Sequence, residues 1–332
     1  MFREKVLLYK CLRVLLVGLT LGFVGCSHRT VIDTVDTVVV PARRLNLNLP
    51  QVVVTTSLLC DLTKQVAEDN INLVCLIPPG VEPSLYRVTD KDVQSLEEAN
   101  LILYQGYNSE ARLIKAIRAM KTHGPKIAVS QLAVPHPQKL QIGKRKVVEP
   151  YIWHNAKNTV KMVQVISKYL SKLTPEKSKI YRQNSRRAIT QLNQLDKWIK
   201  SRIASIPQNN RRLFTAHDNM KYYVMAYGLN YRGNLVTGHS IRNSNNLRLT
   251  NLVKEIHQKN ISVIFTDTNT NPNLLEPLAR EAKVKIFPRP LYVSGLGVAG
   301  SDAETYQKMM DNNTRNIVEG LGGTYLQFQP SP

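Results

Sequence analysis

Four side chains of this sequence are of the type, and in the kind of place, that can grip a metal cation: His154, His217, His239 and Asp267. His217 follows the run 212–216, Asp267 closes the apolar run 261–266, His239 follows a short run at 234–237, and His154 comes directly after Trp153. His217, Asp267 and one of His154 or His239 would make a set of two imidazoles and one carboxylate, suited to zinc, iron or manganese. A solvated loop side chain is the plainer alternative at each position. The other histidines, His28, His123, His136 and His257, fall on a tether, on loops or on a helix face and carry no such expectation. A zinc site built of cysteines is excluded by number, because only Cys60 and Cys75 lie beyond position 26. No Ser-His-Asp or Cys-His arrangement is suggested. His217 and Asp218 are sequence neighbours rather than a base and its orienter, so no enzyme is expected.

Such side chains meet only if the elements before them aim at a common point. The chain alternates strand-like and helix-like stretches, which predicts an α/β fold with mainly parallel sheets. Strands are expected over 51–56, 71–77, 100–104 and 126–129, with helices over 58–68, 90–98 and 110–120. The polar, basic stretch 135–149 reads as a surface loop. A second series follows: strand 212–216, helix 220–227 stopped by Gly228, strand 234–237, helix 247–257, strand 261–266, helix 272–282, strand 284–287 and a last helix over 302–319. Between the two series, Thr174 as N-cap and Pro175 at the first helical position open a helix that runs to Ile206 without another Gly or Pro. The architecture expected is therefore two α/β lobes, 49–173 and 207–332, each a mainly parallel sheet flanked by helices, joined by one long rigid helix over 174–206. Ligands of such sheets bind beyond the carboxyl ends of the strands. The loops to inspect are 78–92, 149–155, His217-Asp218, His239, Asp267 and 288–297.

The first 25 residues have a different purpose. Arg3, Lys5, Lys10 and Arg13 precede the apolar run 14–24, which ends at Gly25-Cys26. That is a secretory leader with a small residue before cysteine, too short to span a bilayer comfortably. The expectation is a signal peptide over 1–25, acylation of Cys26, and a tether over 26–48 that holds an exported body at the membrane, on the periplasmic or outer cell-surface side. Phe23, three positions before the cysteine, departs from the usual pattern. Cys60 and Cys75 would then sit in an oxidising compartment, where they could pair or remain buried thiols. Removing four basic residues and one acidic one with the leader lowers the formal charge from +21 to +18. That sign repels a cation at long range. It reads as a basic surface lying against anionic lipid or wall polymer, and no nucleic-acid motif accompanies it.

Several segments at the strand exits have a further likeness. Pro78-Pro79-Gly80-Val81-Glu82-Pro83 with Tyr86, Thr89 and Asp92 resembles P-P-G-x-D-P-H-x-Y-E-P-T-x-x-D. Pro150, Trp153, Lys157 and Asn158 fit D-P-H-x-W-x-D-P-K-N, and residues 213–228 fit a strand, His-Asp, and a helix leading to Y-G-L. Leu291-Tyr292, Leu296-Gly297, Tyr306 and Asn312 or Asn313 fit a closing segment. These motifs belong to the solute-binding lipoproteins of zinc and manganese ABC importers, which include the streptococcal metal-binding adhesin-type lipoproteins. The resemblance covers about residues 50 to 322. It implies a monomeric binding protein that hands one divalent ion, zinc or manganese, to permease and ATPase subunits, with the lipid anchor holding it at the membrane.

The resemblance also implies where the ion should be held. The positions of the family's two N-terminal histidines are Ser84 and Tyr151 here, and that of its aspartate is Ser294. His217 alone keeps a ligand type, and Arg87 stands where a glutamate follows the first histidine. One imidazole does not hold a divalent ion selectively, since closed sites take four or more donors. The expectation is a degenerate metal site, or one rebuilt from His217, Asp267 and His154 or His239. An alternative takes the losses at face value: Arg87 and Arg289 beside three hydroxyls would suit an anionic or other non-metal ligand. A third is an accessory surface lipoprotein that keeps the scaffold and binds no metal.

Overall fold

The computed structural model describes residues 48–142, 145–217, 219–231 and 246–330. The leader with Cys26, Asp218, the run 234–237 and His239 lie outside the described residues. From Leu45 to Pro332 the chain is one compact unit.

Strand β1 (Gln51–Val54) carries three fully buried valines, as a strand covered on both faces requires. Helix α1 (Ser57–Ala67) starts where Thr56 accepts a bond from the Leu59 amide, satisfying one orphan donor of the first turn. Next come β2 (Asn72–Cys75), α2 (Asp90–Glu97), β3 (Leu101–Tyr104), α3 (Ala111–Ala119), β4 (Lys126–Ala128) and α4 (Val129–Ala133). Thr89 and Asp92 form a reciprocal capping box at α2. The strands pair in the order β2-β1-β3-β4, all parallel, with Val53 opposite Val74 on one side and Ile102 on the other. Cys60 on α1 and Cys75 on β2 form a disulfide, with Cα atoms 5.8 Å apart.

Three expectations for the middle of the chain need correction. The stretch 135–149 contains an antiparallel hairpin, β5 (Lys139–Ile142) with β6 (Arg145–Val148), where a plain loop was expected. Lys-Leu-Gln-Ile alternates polar and apolar residues, and the β-branched Val147-Val148 after Gly143 supplies the second strand. Residues 156–173, to which no element was assigned, form α5 (Ala156–Leu173), with Asn155 as N-cap and Ala156, Thr159, Met162, Val163, Ile166 and Leu170 on its buried side. The long helix begins later than expected, as α6 (Ser178–Ala204) after a single 3-10 turn at Pro175–Lys177. Thr174 does not cap it. Its hydroxyl bonds to the Leu170 carbonyl and the Tyr181 phenol instead.

The second series is built from shorter pieces. Strand β7 (Arg212–Leu213) leads to α7 (Lys221–Tyr227), and Gly228 at φ 75° closes that helix in the left-handed conformation glycine favours. Then follow β8 (Asn230–Tyr231), α8 (Asn246–Gln258), β9 (Val263–Ile264), α9 (Glu276–Ala282), β10 (Lys285–Ile286) and α10 (Tyr306–Gly320). β7 pairs with β8 and β9 with β10, both parallel. Parallel bridges Thr215–Phe265 and Asp267–Leu291 continue the pattern beyond the strands. Helix α6 packs against α1 and α5 of the first series and against α7 and α10 of the second. One apolar cluster runs from Val52 through Leu192 and Leu195 to Met309 and Ile317. The long helix is thus buried against elements of both series.

Candidate functional site

The bridge from Thr215 to Phe265 places the residues that follow each strand side by side, which brings His217 to Asp267. The imidazole Nδ1 lies 2.6 Å from the Asp267 carboxylate, with the histidine side chain 31% exposed and the aspartate 7%. The other Asp267 oxygen accepts bonds from the Asn269 amide and the Thr270 hydroxyl, both at 2.9 Å. The bond to Asp267 holds the His217 pKa above its ordinary value. Burial opposes that rise, and the charges of Asp267 and Glu82 add to it.

The other matched positions reach the same place through Asn269. Its side-chain amide donates to the Glu82 carboxylate at 2.9 Å and to the Ser294 hydroxyl at 3.4 Å. Glu82 in turn accepts from the Ser84 hydroxyl at 2.9 Å. The Tyr151 phenol is pushed far above its ordinary range, chiefly by burial and then by the negative charge of Glu82. A bond with Ser294 works against that shift, while Glu149 and Asp267 add to it. Ser84, Tyr151, His217 and Ser294 thus surround one site, together with the carboxylates of Glu82 and Asp267. Backbone bonds hold the walls together: the Gly80 N–H donates to the Leu296 carbonyl at 2.9 Å, and the Leu296 N–H to the Ser57 hydroxyl at 3.1 Å.

Not every expected residue arrives. His154 is fully buried, and its Nε2 lies 3.1 Å from the Val293 carbonyl, which the Trp153 indole N–H also approaches at 3.3 Å. Burial pushes its pKa down to about 4, opposed only by that carbonyl bond. It is a neutral core imidazole that fixes the residue before Ser294, rather than a partner of His217. Among the described residues, no group of three His, Cys, Asp or Glu side chains is placed to hold a metal ion. His239 lies outside the described residues.

Arg289, expected to serve an anion, is turned away. Its guanidinium bonds to Asn316 at 2.7 Å, pairs with Glu319 on α10 and lies over the Phe287 ring. Arg87 is exposed. Among the described residues, the charges of Glu82, Glu149 and Asp267 all act on the Tyr151 phenol in the same direction, raising its pKa, a setting that does not favour an anion. Glu82, Asn269 and Thr270 were not singled out in the sequence. The signal was there for two of them, since Asn269 and Thr270 directly follow the Asp267 strand exit.

A family model described as the zinc-uptake complex component A, periplasmic, matches residues 52–320. The chain belongs to this family. It is 30% identical over 278 residues to the zinc-binding protein TroA of Treponema pallidum, covering 82% of this chain and 89% of that one. It is 28% identical over 276 residues to the manganese-binding lipoprotein MntA of Bacillus subtilis, with the same coverages. The solved structure of the periplasmic zinc binding protein TroA from Treponema pallidum superposes with a TM-score of 0.73 at 28% identity, over 82% of this chain and 99% of that one. The α/β architecture with its long helix is the fold of that structure. The chain is accordingly a solute-binding component of the ABC-transporter class and not an enzyme.

Proposed function

We propose that this protein is the extracytoplasmic solute-binding lipoprotein of a zinc/manganese-type ABC importer, with a cation site rebuilt around His217 and Asp267. The observation that carries the reading is the 2.6 Å contact between those two side chains at a matched ligand position. The local field supports it. Although the whole chain is strongly basic, the described residues bring the carboxylates of Glu82 and Asp267 to this network, and clustered negative charge concentrates cations.

With no third His, Cys, Asp or Glu in place beside His217 and Asp267 among the described residues, an ion would draw its further donors from oxygen: the hydroxyls of Ser84 and Ser294, the Asn269 amide, and Glu82 once freed from Asn269. Tyr151 remains a neutral phenol and contributes only a weak oxygen. Such donors favour the harder manganese over zinc. Fewer strong ligands than the four or more of a closed cage also imply weaker binding. Asn269 now holds Glu82 by its N–H, and turning that amide would release the carboxylate toward an ion.

Elemental analysis of the purified protein, followed by melting curves with manganese or zinc, tests this reading. A ligand at 100 times its dissociation constant adds roughly 2.7 kcal/mol of stability. The expected result is a small shift at micromolar ion, growing at millimolar manganese and absent in His217→Ala. Tight binding that survives His217→Ala would overturn the proposal. Delivery of the ion to permease and ATPase partners belongs to the same reading.

A further inference from the structure

The net positive charge is not spread evenly. Residues 156–204, which form α5, the turn and α6, hold twelve Lys and Arg against two carboxylates, a net of +10 out of +21 for the whole chain. Of the two carboxylates, Asp196 is buried and paired with Lys200 at 2.7 Å. Helix α5 has no acidic residue at all.

Helical spacing sorts these charges into stripes. On α5, Lys157, Lys161, Lys168 and Lys172 recur at intervals of four and seven, along one exposed side opposite the buried one. On α6, Lys179, Arg182, Arg186 and Lys197, at intervals of three, four and eleven, also share one exposed side. The two helices pack against each other, so the stripes lie on neighbouring rods about 27 and 40 Å long. Among the described residues, only Arg187 and Lys200 of this hairpin have a carboxylate within ion-pair distance.

The chain also enters the folded body beside this hairpin. Asn72 bonds the carbonyls of Leu49 and Pro50 just before β1. A few residues earlier, at the end of α1, the Val66 carbonyl accepts from Asn184 and Glu68 pairs with Arg187, both on α6. The 26–48 segment, at 3.3–3.6 Å per residue when extended, reaches on the order of 75 Å at most. An acyl group on Cys26 would therefore confine this end of the body to within about 75 Å of the bilayer, where a short-range attraction can act.

We propose that the basic face of the α5–α6 hairpin is a docking surface for anionic phospholipid headgroups, which lays the anchored protein against the membrane. Clustered Lys and Arg near an anionic leaflet attract it within about a Debye length, roughly 8–10 Å at physiological salt. The proposal rests on the exported-lipoprotein reading, but not on the cation site.

The test uses the mature chain, residues 27–332, without its acyl group, so that neither acylation nor metal binding enters the result. Sedimentation with vesicles of phosphatidylcholine containing 30% phosphatidylglycerol is compared with pure phosphatidylcholine. The expected result is salt-sensitive binding to the anionic vesicles only. In the quadruple variant Lys168→Gln, Lys172→Gln, Lys179→Gln, Arg186→Gln it should fall at least tenfold. An equal charge change elsewhere, Lys91→Gln, Lys115→Gln, Lys121→Gln, Lys254→Gln, should leave it within twofold, with both variants melting as cooperatively as the parent. An equal fall in both variants would mean diffuse charge and overturn the proposal. So would indifference to the anionic vesicles, including the case where the chain instead binds a soluble poly(glycerol phosphate) wall polymer.

Discussion

The His217–Asp267 pair makes a prediction that separates its charge from its shape. Asp267→Asn keeps the size and the acceptor for Asn269 and Thr270, and removes only the negative charge facing the imidazole. A hydrogen bond to a charged group contributes roughly 1.5–3 kcal/mol, against about 1 kcal/mol for a neutral one. The substitution should therefore cost about 1–2 kcal/mol wherever His217 is protonated. The sign with pH follows from the direction of the shift. The folded pKa of His217 is raised by Asp267, so the pair's contribution is fully present below the unfolded value of about 6.5. It is lost as pH rises through the higher folded value. At roughly 2–4 °C per kcal/mol for a domain of this size, the melting temperature should fall by about 3–6 °C at pH 5.5. At pH 9.5 the fall should be about 1 °C. Calorimetric melts of both proteins at both pH values measure this directly. An equal fall at the two pH values would refute an ionised pair and leave only a packing role for Asp267.

Three further outcomes are expected. Ser84→His, Tyr151→His and Ser294→Asp together should create zinc or manganese binding, seen by calorimetric titration, at least tenfold tighter than in the native chain, because Glu82 and Asn269 tie those positions to the Asp267 loop. Palmitate labelling in cells should mark the native protein and vanish in Cys26→Ala, and label retained by the variant would disprove acylation at that residue. Cys60→Ala with Cys75→Ala opens a loop of 15 residues and should cost about 3 kcal/mol by loop-closure entropy, read as a loss of unfolding free energy in denaturant titrations.

Fold class and family were legible in the residues themselves. Local patterns carry that information: a run of valines marks a buried strand, and Pro-Pro-Gly-x-Glu-Pro marks a turn. The helical period of α5 and the alternation of β5 are likewise present in the residues. The convergence of Ser84, Tyr151, His217 and Ser294 was foreshadowed only by resemblance, since they are separated by up to 210 positions and nothing local ties them together. The tertiary structure alone decided the rest. It took His154 out of the cleft by giving its ring the Val293 carbonyl, and it turned Arg289 to Glu319 and Asn316 on α10. It brought in Glu82 through an amide 187 positions away. A side chain's chemistry depends on the charges and donors within a few ångströms, and those are set by which strand ends lie side by side.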